Sequence, residues 1–140
     1  IEVIRKYQPD IVLANALEDR HPDHGKGAKL AIDACFLSGL RKIETGLAPW
    51  RPKHLYHYIQ DRYLKPDFVV DISEHWETKE AAIRAFKSQF FDPNSSEPAS
   101  YISSEDYFNF IKARAQEMGH KIGVKYGEGF QSQSPIQLSL

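Results

Sequence analysis

The sequence predicts an α/β fold built on a mostly parallel sheet, and three observations predict it. The uninterrupted apolar run Ile11-Val-Leu-Ala-Asn15 has the composition of a parallel strand buried on both faces. A helix-like segment precedes it, and strand-like and helix-like segments alternate after it. The 140 residues are 41% hydrophobic and 26% charged, enough for one modest core.

Residues 1–10 read as the closing turns of an amphipathic helix, with Val3, Ile4 and Tyr7 on its apolar face and Pro9 stopping it. Helix, Pro-Asp turn and buried strand make the second half of a βαβ unit. A further strand is therefore expected before Ile1, and the sequence reads as part of a longer chain. Between Lys26 and Leu40, the positions Ala28, Ala31, Ile32, Cys35 and Phe36 share one helical face, and Gly39 is the expected terminator. Residues 40–51 form a long loop punctuated by Gly46 and Pro49. His54–Ile59 and Phe68–Ile72 are rich in aromatic or β-branched residues and predict strands. Asp71-Ile-Ser-Glu74 resembles a capping box, and Trp76, Ile83, Phe86 and Phe90 follow on one helical face until Asp92-Pro93-Asn94 breaks the pattern. Ser103 and Asp106 fit the start of a last helix lined by Phe108, Ile111, Ala115 and Met118 and ended by Gly119. The tail is expected to be irregular, with one short strand over Ile122–Tyr126.

Composition also removes whole classes of function. Eighteen basic residues stand against 19 acidic ones, with no Lys/Arg block, so a phosphate-binding footprint is lacking and no nucleic-acid partner is expected. A mean hydropathy of −0.51 and the lack of any apolar run near the length of a span give no expectation of a membrane partner. The single cysteine, Cys35, cannot make an intrachain disulfide, and a cytoplasmic location is the expectation.

The densest polar constellation is Glu18-Asp-Arg-His-Pro-Asp-His24, directly after the first strand and before a helix. In open α/β sheets ligands collect beyond the carboxyl ends of the strands, where a helix N-terminus adds unpaired N–H groups. Pro22 extends the backbone at His21 and fixes the next φ, so His21 and His24 sit on a stiff segment. Neutral imidazole is the commonest zinc ligand, and a catalytic zinc takes about three protein groups. His-x-x-His supplies two at most, and histidines in turns also serve as helix caps or lie in solvent. Arg51 fits bidentate recognition of a carboxylate or phosphate, or an exposed loop position. His54 and His57 are three apart on a strand, point to opposite faces, and read as packing or surface residues. Cys35 reads as an inert buried thiol. Glu128, in a glycine-rich turn, is either a site carboxylate or structural.

From Asp19-Arg-His-Pro-Asp-His24-Gly25 onward the sequence resembles the LmbE-like (PIG-L) family of zinc-dependent N-acetylglucosaminyl deacetylases. The match runs through Lys29 to Arg41, Trp50-Arg-Pro-Lys53, Tyr56-His-Tyr-Ile59, Phe68-Val-Val-Asp71, Phe86 to Asn94, and Ile122 to Phe130, nearly the whole chain. Within the family the resemblance is strongest to deacetylases of N-acetylglucosaminyl malate in bacillithiol biosynthesis. It implies a Rossmann-like three-layer fold, present as the C-terminal portion of one deacetylase domain. It also implies Zn2+ as cofactor, a small-molecule N-acetylglucosaminide as substrate, and a homo-oligomer. Carried over by position, His24 is a zinc ligand, His21 stands near the scissile acetamide, Asp23 supports the histidines, and Arg51 holds substrate or a neighbouring side chain. The family's Ala-His-Pro-Asp-Asp motif, which brings two further ligands and the general base, is not in these residues. The segment alone is therefore expected to bind zinc weakly and to turn over nothing. Two alternatives stand beside this reading: a non-catalytic carbohydrate-binding or scaffold protein of the same fold, and a deacetylase of another N-acetylated sugar.

Overall fold

In a computed structural model that describes residues 1–90, 98 and 100–137, helices α1 (Glu2–Tyr7), α2 (Pro22–Ser38), α3 (Trp76–Arg84) and α4 (Glu105–Lys121) are interspersed with strands. The strands are β1 (Ile11–Ala14), β2 (His54–Tyr58), β3 (Phe68–Asp71) and β4 (Gly127–Ser132). They form one open sheet in the order β1-β2-β4-β3. This is the expected α/β fold, with a correction: β1 and β2 pair in parallel, whereas β2 and β4 pair antiparallel. The helix break expected at Asp92-Pro93-Asn94 lies outside the described residues, as do residues 91–94 of the Phe86–Asn94 resemblance. Two compact units emerge, Ile1–Phe68 with Gly129–Leu140, and Val69–Glu128.

In the first unit α1 ends at Gln8, whose left-handed backbone lets its N–H reach Ile4 O, and Pro9 follows. The helix does not bury its expected face. Val3 and Tyr7 are exposed, while Arg5 is 2% exposed. Its guanidinium donates to the carbonyls of Ser38, Leu40 and Ile43 and to Thr45 Oγ1, so the long loop after α2 is pinned. Loop carbonyls without backbone partners need donors, and one arginine supplies several. Trp50 adds a further tie, its indole N–H donating to Pro9 O at 2.9 Å.

β1 also departs from expectation. As the outer strand among the described residues it buries Ala14 but leaves Ile11 and Leu13 exposed. The two-residue period of a strand puts those two side chains on one face. Register runs from Ile11 opposite His54 to Ala14 opposite His57, and α2 packs on both strands.

The second unit is organised by Ile72, Trp76, Tyr107, Ile111, Ala115 and Tyr126, against which Ile83, Phe90 and Ile102 pack. Trp76 stacks on Tyr126 with ring centroids 4.6 Å apart. A 3-10 turn, Ser73–His75, leads into α3, which stops at Arg84 and leaves Phe86 outside the helix and exposed. Ser104, one residue later than expected, caps α4 by accepting from Tyr107 N–H at 3.1 Å. All four expected core positions of that helix are buried. Gly119 is not its terminator. It lies within the last turn, where a Cβ would come within 2.7 Å of Val124 O, and Gly123, at φ +78, reverses the chain instead. The reversal displaces the strand expected over Ile122–Tyr126 to Gly127–Ser132. No helix among the described residues is long and apolar enough to cross a membrane.

Candidate active site

The loop from Asn15 to His21 leaves the carboxyl end of β1 and enters α2 at Pro22, a residue suited to the first helical position because the N–H it lacks would have no partner there. His21 is the N-cap, and its Nδ1 accepts from Asp23 N–H at 3.2 Å. His24, the third residue of the helix, is held differently. Its Nδ1 pairs with the carboxylate of Asp19.

Asp19 is the residue that fixes this arrangement. Its side chain is 0% exposed, and Oδ1 accepts from the N–H groups of Asp61 at 3.2 Å and Arg62 at 2.9 Å, in the loop after β2. Burial pushes the carboxyl upward, but the Arg62 N–H, the His24 ring and the Arg20 N–H outweigh it, so its pKa lies below the ordinary value. Arg20 and Asp61 close the same two loops with an ion pair at 2.7 Å.

These partners set opposite tautomers. A carboxylate only accepts, so His24 carries its proton on Nδ1 and its lone pair on Nε2. His21 accepts at Nδ1, so in its neutral form the proton is on Nε2. The rings stand 5.3 Å apart at 36°. His24 thus presents a lone pair at Nε2 and His21 an N–H.

The structure brings together His21, Asp23 and His24, which share the first turn of α2 and its entry. Asp23 lies 3.9 Å from His21 Nδ1 and 3.3 Å from Lys26 Nζ, so it faces His21 and not His24. The carboxylate that orients the expected metal ligand is Asp19, to which the family resemblance assigns no role. Arg51 is not brought to the cluster. Its Nη2 donates to Phe36 O at 2.9 Å and its guanidinium covers the Phe36 ring, so it lies at the opposite end of α2, about 18 Å along the helix from His24 at 1.5 Å per residue. Gly39 leaves room for it, since a Cβ there would stand 2.5 Å from Arg51 Nε. Glu128 is paired with Lys79 at 2.5 Å in the second unit.

As a metal site, this donor set fits one ligand. His24 keeps Nε2 uncommitted while a buried carboxylate fixes its other nitrogen, the arrangement that metal-bound histidines favour. Among the described residues no group of three His, Cys, Asp or Glu is placed to hold an ion.

No family model matches the chain. Over 92% of its length it is 35% identical to the diacetylchitobiose deacetylase of Thermococcus kodakarensis, of which it spans 47%. The inhibitor-bound N,N'-diacetylchitobiose deacetylase of Pyrococcus horikoshii superposes with a TM-score of 0.73 at 33% identity, covering 93% of this chain and 48% of that one. This chain is similar to the diacetylchitobiose deacetylases over about half of their length. The conserved protein TT1542 of Thermus thermophilus gives a TM-score of 0.85 at 32% identity over 98% of this chain and 57% of its own. The chain thus spans about half the length of these deacetylase relatives. A 4-carboxy-2-hydroxymuconate hydratase of Pseudomonas putida shares the fold at 23% identity and a TM-score of 0.75. Such deacetylases and a hydratase on one scaffold place the decision about function in the side chains of the site.

Proposed function

We propose that the whole protein is a zinc-dependent hydrolase that removes the acetyl group from an N-acetylglucosamine-containing substrate, N-acetylglucosaminyl malate being the specific candidate. The observation that carries this reading is the Asp19–His24 pair beside His21 in a chain similar to diacetylchitobiose deacetylases. His24 Nε2 would be one of the groups that hold the ion, and Asp19 would keep that ring from turning. A bound zinc lowers the pKa of water toward about 7 and polarises a carbonyl oxygen. His21 would hydrogen-bond the departing nitrogen through Nε2–H and, once it has gained the proton that the attacking water gives up, would pass one proton to that amine and return to the neutral ring. Asp23, whose N–H donates to His21 Nδ1 at 3.2 Å, would help to orient that ring. Arg51, at the far end of α2, acts by shaping the turn after Phe36.

The test is acetate release by the whole protein from N-acetylglucosaminyl malate, diacetylchitobiose and N-acetylglucosamine, with and without a chelator. Release that stops on chelation and returns with zinc is the expected result. Release indifferent to chelation removes the metal hydrolase, and no release from any of the three favours a carbohydrate-binding role.

A further inference from the structure

His57 takes no part in the chemistry above, yet its burial is otherwise hard to account for. The residue is 0% exposed, its Nδ1 lies 2.7 Å from the backbone carbonyl of Asn15, and Nε2 has no hydrogen-bond partner among the described residues. A carbonyl only accepts, so the proton is on Nδ1 and a lone pair on Nε2 is buried unmatched. An apolar ring of similar size would fill the same space without that penalty. Packing alone therefore does not explain an imidazole here, and the Nδ1–H bond is what distinguishes it.

That bond grips a particular point. Ala14 stands opposite His57 in the β1–β2 register, so Asn15 is the first residue to leave the sheet. Gln60, also beyond β2, accepts from the Asn15 side chain at 3.0 Å and from Ala16 N–H at 3.3 Å. Three hydrogen bonds from β2 and its following loop thus set the start of the segment that delivers Asp19 to His24.

We propose that His57 is a positioning residue for the Asp19–His24 pair, acting through the Asn15 carbonyl. Its functional meaning rests on His24 being a metal ligand, but the placement of the His24 ring is measured without metal or substrate. The experiment uses the chain labelled with 15N in histidine and follows exchange of the His24 Nδ1 proton with water in the parent, His57→Asn and His57→Phe. Asparagine offers an N–H close to where Nδ1 lies, and phenylalanine keeps a ring but no donor. Exchange should accelerate about tenfold or more in the phenylalanine variant, the size expected when one net hydrogen bond is lost, and stay within about twofold of the parent in the asparagine variant. Backbone amide signals of α4 report whether each variant folds, and His57→Met is the donor-free comparison if the phenyl ring is not accommodated. Equal exchange in all chains, equal acceleration in both variants, or an unprotected His24 proton in the parent would each overturn the proposal. Absence of acetate release from the unmutated whole protein, with His24 protected as expected in the parent chain, would instead count against the deacetylase reading alone.

Discussion

Arg5 and Asp19 are buried charges in the first unit, and each is matched to backbone groups of a loop distant in sequence. Arg5 serves the carbonyls of Ser38, Leu40 and Ile43, and Asp19 serves the N–H groups of Asp61 and Arg62. Replacing Arg5 by methionine keeps the aliphatic stem and strands those carbonyls, at about 1–3 kcal/mol each. Urea unfolding should register a loss of at least about 3 kcal/mol, and a loss below about 1 kcal/mol would mean that water reaches them. Neither role was legible in the sequence. Helical periodicity ranks residues by polarity, so it chose Val3 and Tyr7 for the interior. It could not foresee carbonyls arriving from more than thirty residues away. The role of Asp23 comes from the family resemblance, which assigns none to Asp19, although a carboxylate just after an apolar strand is a usable signal. Cys35 was legible because a thiol on an apolar helical stripe needs no distant partner. Burial holds its pKa above the ordinary value, so a disulfide reagent should label it slowly in the folded chain and fast after urea is added. Equal rates in both states would refute that.

Elements were readable where local chemistry sets them and misread where a distant backbone does. Pro22 at the first helical position and Ser104 before α4 are local signals, and both helices were placed within a few residues of where they lie. The end of α4 was assigned to the wrong glycine, because only the close approach of Val124 to Gly119 decides which of two glycines turns the chain. Gly123→Ala should therefore cost about 1–2 kcal/mol, the penalty of a side chain in left-handed backbone, and an unchanged unfolding midpoint would show that the turn relaxes. At the entry to α3, the Ser73 hydroxyl first and then the Ser73 N–H, at 2.9 Å, hold the Asp71 carboxyl below its ordinary value. A depressed carboxyl contributes stability that is complete above its unfolded value of about 3.9 and is lost as pH falls through the lower folded value. Asp71→Asn should therefore flatten the decline in unfolding midpoint below about pH 4 and leave its variation near neutrality unchanged. A parallel decline in parent and variant would place the acid sensitivity elsewhere.

For the molecule as a whole, metal binding and proton delivery are assigned to two rings on one helical turn, so they should separate experimentally. A ligand that binds only the folded state stabilises by about 2.7 kcal/mol at a hundredfold excess over its Kd. At about 2–4 °C per kcal/mol, zinc should raise the thermal midpoint of the whole protein by about 5–10 °C. His24→Ala should abolish that shift together with acetate release. Asp19→Asn removes the carboxylate that orients the ring and should weaken zinc binding about 10–100-fold. His21→Ala should keep the zinc-dependent shift and lose turnover, because its Nε2 proton is needed only when the amine departs. The ordering of these three variants is diagnostic. A zinc shift that survives His24→Ala would show that the ring beside Asp19 is no ligand, and His21 would then be the imidazole to test in its place.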